Sequence, residues 1–173
     1  MIIDMGCSMG KNIVLIGMPG CGKTTLGKIL NKELSMEFYD MDNYIERKTD
    51  KKISELFEKG ENYFRDIESL ACEELSKNKN VIISTGGGVI KRKENIDFLK
   101  ENGIVIFIDR SVDDIIGDVD ISKRPLLKEG KEKVLKLYEE RYLLYKNYAD
   151  EIVVNNKNIE DTKNKIIDIY NNL

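Results

Sequence analysis

The stretch that decides the fold is Gly17-Met18-Pro19-Gly20-Cys21-Gly22-Lys23-Thr24, which follows an apolar run at 12–16 and opens an amphipathic stretch at 23–34. It matches the pattern G-x-x-x-x-G-K-[ST] in the strand–loop–helix context that this pattern requires. Glycines allow backbone N–H groups to surround a polyphosphate, and the N-terminus of the following helix faces the same anion. A plain glycine-rich turn would not need Lys and Thr in this register. The sequence therefore predicts a loop that binds a nucleoside triphosphate.

Two side chains of this loop carry the chemistry of the predicted site. Lys23 is long enough to reach the β- and γ-phosphates, and the Thr24 hydroxyl is the kind of oxygen ligand that Mg²⁺ prefers. We interpret Cys21 as a small filler rather than a redox switch. The loop alone does not separate kinases from GTPases and ATPase motors. However, the sequence lacks the N-K-x-D run that is typical of GTPases, and motors are generally larger.

Short apolar runs alternate with amphipathic stretches along the rest of the chain. The runs are rich in β-branched residues and end in glycine or aspartate, which favours strands over buried helices. Predicted strands lie at 12–17, 37–40, 81–85, 104–108 and 151–154, and predicted helices at 23–34, 61–76, 131–148 and 158–170. This alternation indicates an α/β protein with a five-stranded parallel sheet between two helical layers. Because ligands bind beyond the carboxyl ends of such strands, the segments after the first three strands should meet in one crevice.

Chain length and element spacing limit the domain organisation. A chain of 173 residues corresponds to one domain, predicted at 11–173, behind a loose extension at 1–10. Two connections are longer than a crossover needs: residues 43–79 hold two helical pieces, and residues 117–130 are polar. Long segments in a compact domain are often substrate-covering regions or lids. A solvated loop is the alternative for 117–130.

Composition excludes several classes of function. The sequence has no histidine, which excludes a Ser-His-Asp triad and any His-ligated metal. The formal net charge of −3 argues against a protein that binds nucleic acid through a bulk positive field. No apolar run approaches the ~20 residues of a membrane span, and no signal peptide is evident. Three cysteines without paired spacing, Cys7, Cys21 and Cys72, fit free thiols, so we expect a cytoplasmic protein.

Two groups of residues form the candidate substrate side. Asp40 and Asp42 follow the second predicted strand, and in an extended segment both carboxylates would point into one pocket. One could hold the water shell of a metal and the other could orient an attacking hydroxyl, whereas a helix N-cap is the alternative for Asp42. The run Gly86-Gly87-Gly88 follows the third strand, and three consecutive glycines are costly unless backbone must approach a ligand closely. The alternative is a tight turn, for which one glycine would usually suffice.

Three arginines are candidate anion-binding residues. Arg141 lies on the apolar stripe of the predicted helix 131–148, and Arg65 stands beside Phe64 on another amphipathic helix. A buried guanidinium needs an anionic partner, and two of them could hold a substrate carboxylate with paired hydrogen bonds. An intramolecular salt bridge is the alternative for each. Arg124, in the polar segment, could neutralise charge on a transferring phosphoryl group.

Taken together, these motifs resemble those of the shikimate kinase family, in family order and over residues 11–172. They are the phosphate loop, D-x-D at 40–42, F-R-x-x-E at 64–68, G-G-G at 86–88, R-P-L-L at 124–127 and R-x-x-x-Y at 141–145. The phosphate loop alone is unspecific, whereas the set is highly specific. The resemblance implies a P-loop kinase fold like that of nucleoside monophosphate kinases, with a helical substrate-binding insertion and a short lid. It also implies transfer of the γ-phosphate of ATP to the 3-hydroxyl of shikimate, in the pathway to chorismate and the aromatic amino acids.

The resemblance further implies roles for individual residues. Residues from Gly20 to Thr25 would bind ATP, Thr24 would ligate Mg²⁺ and Asp40 would sit near the water shell of the metal. Asp42 would activate the shikimate hydroxyl, with Lys23 and the lid residue Arg124 acting on the phosphoryl group. Arg65 and Arg141 would grip the shikimate carboxylate, with the glycines at 86–88 beside the ring. We expect shikimate and ATP as ligands, no nucleic acid or membrane partner, and a monomer.

Two other functions are compatible with parts of the sequence. Another small-molecule kinase of this fold, for gluconate or a nucleoside monophosphate, has an acceptor that does not call for two arginines beside a D-x-D pair. A nucleotide-binding module without catalysis is favoured only by the acidic stretch at 115–120, where the family usually has an arginine. The intact Lys23, Asp42 and Arg124 argue against such a module.

Overall fold

The computed structural model describes residues 10–117, 131–156 and 158–173. In this part of the chain, five strands form one parallel sheet in the order β2-β3-β1-β4-β5. The strands are β1 (Asn12–Ile16), β2 (Glu37–Asp40), β3 (Val81–Ser84), β4 (Gly103–Asp109) and β5 (Glu151–Val154). All five predicted strands are confirmed, and no end differs by more than one residue from the predicted bounds.

Eight α-helices are present in the described residues, together with a 3₁₀ turn at Val89–Lys91. They are α1 (Lys23–Leu34), α2 (Met41–Thr49), α3 (Ile53–Glu58), α4 (Glu61–Ser76), α5 (Lys93–Glu101), α6 (Val112–Gly117), α7 (Lys131–Tyr148) and α8 (Ile159–Asn171). The predicted helices correspond to α1, α4, α7 and α8. The sequence analysis missed α5 and α6, which are short and bury few side chains: Asn95, Ile96 and Leu99 in α5, and Ile115 in α6.

The sheet lies between two helical layers, as the alternation predicted. On one face α1 packs against α8, and on the other face α4 packs against α5 and α7 contacts β4. Every residue of the central strands β1 and β3 is buried, which explains why these strands are continuous apolar runs rather than alternating ones. The edge strands β2 and β5 are partly exposed.

A buried asparagine side chain links the starts of the central strands β1 and β3. Asn12 is fully buried at the beginning of β1. Its Nδ2 donates to the Asn78 carbonyl at 2.7 Å, and its Oδ1 accepts from the Val81 N–H at 3.1 Å. These bonds satisfy a buried amide and align the starts of β1 and β3, so that both strands end at the same level.

The strand order determines which segments can form a site. Because β2, β3 and β1 are neighbours in a parallel sheet, their carboxyl ends meet at one edge. The segments after them are the start of α2, the glycine run at 86–88 and the phosphate loop at 17–22. The predicted meeting of these three segments at one crevice is therefore built into the topology.

Some predicted features lie outside the described residues. These are residues 1–9 of the predicted extension and residues 118–130 of the predicted lid, including Arg124. Gly117 is the last residue of α6. The predicted insertion at 43–79 contains most of α2 and all of α3 and α4. Among the described helices, none combines the length and apolar character that a membrane crossing needs.

Candidate active site

The phosphate loop has a glycine-dependent backbone, and Arg110 and Asn155 donate to its Gly20 and Cys21 carbonyls at 3.1 and 2.8 Å. Gly17, Gly20 and Gly22 have φ values of 147°, 88° and 104°, which L side chains rarely adopt. A methyl group on Gly17 would also lie 2.8 Å from the Ile108 carbonyl oxygen. The Cys21 N–H donates to the Met18 carbonyl at 3.1 Å, and its thiol is fully buried. Cys21 therefore fills space beneath the loop, in agreement with its interpretation as a filler.

Lys23 is folded over this loop at the start of α1. Its Nζ donates to the carbonyl oxygens of Gly17 at 2.8 Å and Met18 at 3.0 Å. The side chain is buried, so the ammonium group is fixed rather than sampling solvent. A positive charge is thus held beside the N-terminus of α1, where an anion is also favoured by the helix dipole.

Thr24 and Asp40 are hydrogen-bonded to each other beside the phosphate loop. The Thr24 hydroxyl donates to Asp40 Oδ2 at 2.8 Å. Asp40 is also the N-cap of α2, because its Oδ1 accepts from the Asn43 N–H at 3.2 Å. The N-cap prediction for Asp42 is therefore wrong: the helix starts at Met41, and Asp40 takes this position.

Asp42 lies in the first turn of α2 rather than in an extended segment. Asp40 and Asp42 line the same cleft, although Asp42 lies on a helix and not on an extended strand as expected. The Asp42 carboxylate is reached by water from the cleft, while protein atoms surround it on the other sides. This partial desolvation and the neighbouring Asp40 carboxylate raise the pKa of Asp42, and Lys23 opposes the increase.

Arg65 lies buried on α4 between two carboxylates. Its Nη1 donates to Glu68 Oε2 at 2.6 Å, while Nε and Nη2 donate to Glu61 Oε1 at 3.3 and 3.2 Å. The guanidinium also lies over the rings of Phe57 and Phe64, at 5.7 and 5.2 Å from their centroids. The intramolecular salt bridge that was the alternative for Arg65 is therefore present in this structure.

The two carboxylates around Arg65 differ in environment. Glu68 is buried, which raises its pKa, and Arg65 counteracts that increase. Glu61 is exposed and also accepts from Lys91 Nζ at 2.5 Å, and this bond lowers the pKa of Glu61. Glu68 is thus a fixed partner of Arg65, whereas Glu61 is shared with a second cation.

The glycine run is packed against charged side chains on both sides. A methyl group on Gly86 would lie 3.1 Å from Glu68 Oε1 and 3.2 Å from Asp42 Oδ1, and one on Gly88 would overlap the Arg65 guanidinium. One on Gly87 would lie 2.8 Å from Pro19 in the phosphate loop. The clearest requirement for glycine is at position 87, where the neighbour is the rigid ring of Pro19, whereas the neighbours of Gly86 and Gly88 are the ends of longer side chains.

Arg141 reaches the same glycine run from α7. Its Nη1 donates to the Gly87 carbonyl at 3.1 Å, and the same oxygen accepts from the Tyr145 hydroxyl at 2.5 Å. The Arg141 side chain is half-buried, and its Nε has no hydrogen-bond partner among the described residues. Arg141 itself lines the cleft, so part of its guanidinium faces the space that a ligand would occupy.

Most of these groups line one cleft of about 630 Å³, whereas Gly17, Cys21 and Tyr145 lie outside its lining. Its described lining includes Gly20, Gly22, Lys23, Thr24, Thr25, Asp40, Asp42, Arg65, Gly86, Gly87, Gly88 and Arg141. One end of the cleft offers backbone N–H groups and an ammonium group, and the other offers two guanidinium groups. A cleft of this size can hold a small acid next to the terminal phosphates of a nucleotide.

Comparison with known proteins identifies the family. The family model described as shikimate kinase matches residues 19–171. The chain is 61% identical over 161 residues to a shikimate kinase of Clostridium beijerinckii, covering 93% of this chain and 95% of that protein. The chain belongs to the shikimate kinase family. It is therefore an ATP-dependent kinase, and the comparisons do not support the alternative of a nucleotide-binding module without catalysis.

Solved structures of shikimate kinases have the same fold. The structure titled as the Acinetobacter baumannii enzyme in complex with shikimate has a TM-score of 0.85 and 36% identity, covering 92% of each chain. The Bacteroides thetaiotaomicron enzyme has a TM-score of 0.84 and 31% identity, covering 92% of this chain and 97% of that one. The predicted three-layer P-loop kinase fold is confirmed.

Residues that the sequence analysis left without a role also line the cleft of this family member. They are Glu61, Glu68 and Lys91, together with the rings of Phe57 and Phe64. Glu68 was visible in the F-R-x-x-E motif, and its i+3 spacing from Arg65 on a helix indicates contact. Lys91 and Phe57 gave no such signal, because their partners are distant in sequence: Lys91 and Glu61 are separated by 30 positions.

Proposed function

We propose that this shikimate kinase family member transfers the γ-phosphate of ATP to the 3-hydroxyl of shikimate, giving shikimate 3-phosphate and ADP. The observation that carries the proposal is the single cleft that joins Lys23 to Asp42, Arg65 and Arg141. A donor phosphate and an acidic alcohol can lie side by side there. Enzymes of phosphoryl transfer act mainly by positioning and charge neutralisation, and this cleft is suited to both.

On the nucleotide side, we assign ATP binding to residues 20–25. The N–H groups and the N-terminus of α1 would receive the phosphates, with Lys23 beside the β- and γ-phosphates. In the present structure its ammonium group is held by the Gly17 and Met18 carbonyls, so it would exchange part of this contact for phosphate oxygens. Arg124 would add positive charge over the transferring group; this assignment rests on the sequence motif alone.

Thr24 and Asp40 are suited to hold Mg²⁺ with ATP. Mg²⁺ prefers oxygen ligands and usually keeps several waters while contacting one or two protein groups and the phosphates. The adjacent Thr24 hydroxyl and Asp40 carboxylate fit this donor set, with Thr24 as a direct ligand and Asp40 acting through water. When bound, the ion neutralises negative charge on the β- and γ-phosphates.

Asp42 is proposed to accept the proton of the shikimate hydroxyl or to orient it for attack. Its raised pKa makes the carboxylate a stronger base than an ordinary aspartate. Its position in the first turn of α2, two residues from Asp40, supports a hydroxyl lying between the acidic pair and the phosphate loop.

Arg65 and Arg141 are proposed to bind the shikimate carboxylate, with the glycines at 86–88 beside the ring. Two guanidinium groups can hold one carboxylate with several charge-assisted hydrogen bonds. The presence of Arg65 and Arg141 in the lining of one cleft supports this assignment. Glu68 would remain on Arg65, and Glu61 would stay with Lys91 while Arg65 turns part of its guanidinium to the substrate.

We further propose that the enzyme acts as a cytoplasmic monomer. All of the residues assigned to the described part of the cleft come from one chain, so a partner subunit is not required. The free, buried thiols of Cys21 and Cys72 support a reducing compartment.

The decisive experiment is a coupled ADP-release assay with purified protein, Mg²⁺ and ATP. We expect ADP release that depends on shikimate and that saturates with shikimate concentration. Shikimate methyl ester is the matched control, because it keeps the hydroxyl groups and removes the charge that Arg65 and Arg141 would bind. Gluconate and nucleoside monophosphates test the other small-molecule kinases. No shikimate-dependent rate, or equal rates with these acceptors, would contradict the proposal.

A further inference from the structure

Gly87, in the glycine run, contacts two other parts of the site: helix α7 and the phosphate loop. Its carbonyl accepts hydrogen bonds from two side chains of α7, Arg141 at 3.1 Å and Tyr145 at 2.5 Å. On its other side, the Gly87 backbone lies against Pro19 of the phosphate loop. The Gly87 peptide group therefore lies where the glycine run, the phosphate loop and α7 meet.

Tyr145 is the more rigid of the two donors. Its side chain has no solvent-exposed surface, and its ring is stacked on Phe107 of β4 with the centroids 5.2 Å apart and the planes 19° apart. Burial raises the pKa of Tyr145, so the phenol keeps its proton and remains a donor throughout the neutral range. The hydroxyl is thus held at a fixed point relative to the central sheet.

Arg141 depends on this fixed point. It stands one turn before Tyr145 on α7, is half-buried and uses one nitrogen on the oxygen that Tyr145 also contacts. If the Gly87 peptide rotated, Arg141 would lose the acceptor that sets the direction of its guanidinium plane. A long arginine side chain without such an anchor has many rotamers, and ordering it on binding costs affinity.

We propose that Tyr145 is a positioning residue for substrate recognition: its hydroxyl fixes the Gly87 carbonyl, which in turn aims Arg141 at the acid group of the substrate. The proposal rests on the assignment of Arg141 as a carboxylate ligand under the proposed function. Packing alone does not require the hydroxyl, because the stack on Phe107 uses only the ring. A phenylalanine would fill the same space and leave the Gly87 carbonyl with one donor fewer.

The test variant is Tyr145→Phe, assayed as the full chain with ATP, Mg²⁺ and shikimate. Loss of one buried hydrogen bond that preorganises a binding group corresponds to a rise of about three- to tenfold in the KM for shikimate. The shikimate Kd from calorimetry should rise by the same factor. The kcat and the KM for ATP should stay within about twofold of the wild-type values, because the phosphate loop keeps its own hydrogen bonds.

Tyr142→Phe is the matched control. Tyr142 lies on the same helix and also contacts Phe107, but its hydroxyl donates to Asp109 at 3.1 Å, outside the described lining of the cleft. Removing this hydroxyl should leave the KM for shikimate unchanged. A general loss of packing in the aromatic cluster would affect both variants alike, whereas the proposal predicts an effect of Tyr145→Phe alone.

A double-mutant cycle with Arg141→Ala separates positioning from a structural role. If Tyr145 acts through Arg141, adding Tyr145→Phe to Arg141→Ala should cause no further rise in the shikimate KM. An unchanged shikimate KM in the single variant, a parallel rise in the ATP KM, or additive effects in the cycle would each overturn the proposal. If Tyr145→Phe melts too low for the kinetic assay, the Kd measured well below its melting temperature gives the same decision. A wild-type protein without shikimate-dependent activity would instead contradict the proposed function.

Discussion

The two ends of the cleft are built in different ways. The phosphate end consists of consecutive residues, 17–25, and Lys23 contacts the Gly17 and Met18 carbonyls within it. Two side chains from outside the loop, Arg110 and Asn155, donate to the carbonyls of Gly20 and Cys21. The acid-binding end combines side chains from α2, α4 and α7 with the glycine run at 86–88. Its key contact, from Arg141 to Gly87, joins residues 54 positions apart.

Because of this difference, we expect variants at the two ends of the cleft to change different kinetic constants. Changes at Asp42, between the two ends, or at the phosphate end should lower kcat, because these groups act on charge that develops during phosphoryl transfer. Changes at the acid-binding end should mainly raise the KM for shikimate, because the carboxylate does not react. If variants at both ends changed kcat and the KM for shikimate in the same way, this distinction between the two ends would be wrong.

The largest effect is expected for Asp42→Asn. The change removes the group proposed to accept the hydroxyl proton, and general base catalysis contributes about 10²- to 10⁴-fold. We expect kcat to fall by that factor while the Kd for ATP changes little, as measured by the ADP assay and by calorimetry. Asp66→Asn is the matched control on α4: Asp66 pairs with Arg92 outside the cleft and should leave kcat unchanged. Wild-type kcat in Asp42→Asn would remove Asp42 from the reaction.

Lys23→Ala should give the next largest effect. Loss of a fixed positive charge beside the transferring phosphate corresponds to about 10²- to 10³-fold in kcat. The shikimate Kd, measured without nucleotide, should stay close to the wild-type value because Lys23 is at the other end of the cleft. Lys77→Ala, which removes an exposed partner of Glu73, controls for the loss of any lysine. A variant with normal kcat would show that the phosphate loop binds without assisting transfer.

Arg141→Ala should act on recognition rather than on transfer. Removing one of two guanidinium groups from a carboxylate is expected to raise the KM for shikimate by about 10- to 100-fold, with a smaller change in kcat. Arg92→Ala, on the outer side of α4 and α5, is the matched control. The difference should disappear with shikimate methyl ester as substrate. An unchanged shikimate KM would mean that the carboxylate binds elsewhere.

The smallest effect concerns stability. Because the folded state raises the pKa of Asp42, the folded protein binds this proton more tightly than the unfolded chain does. The contribution of Asp42 to stability therefore falls as the pH rises from the ordinary value of 3.8 through the raised pKa, and stays low above it. Asp42→Asn should thus melt at a higher temperature than the wild type at neutral pH, and the difference should shrink as the pH falls towards 3.8. A lower melting temperature at neutral pH would contradict the cause assigned to this shift.

The sequence was sufficient for the fold because the fold depends on local patterns. Apolar runs such as 12–16 and 104–108 are recognisable where strands are buried on both faces, and the phosphate loop carries its own strand–loop–helix context. The helices α5 and α6 were missed because they are short, with nine and six residues.

The sequence was less informative about the acid-binding end, where contacts are long-range. It nominated Arg65 and Arg141 but did not separate a substrate ligand from an internal salt bridge, and in the structure Arg65 is bonded to Glu61 and Glu68. The shared use of the Gly87 carbonyl by Arg141 and Tyr145 depends on how α7 docks on the sheet. No pattern within either segment could predict that contact.

The most direct test of a shared cleft is a crystal structure of the protein with shikimate, Mg²⁺ and a non-hydrolysable ATP analogue. We predict that the shikimate carboxylate lies within about 3 Å of nitrogen atoms of both Arg65 and Arg141, and that a ring hydroxyl lies at a similar distance from Asp42. The terminal phosphate of the analogue should face that hydroxyl beside Lys23. A carboxylate turned away from both arginines, or a hydroxyl out of reach of Asp42, would contradict the account.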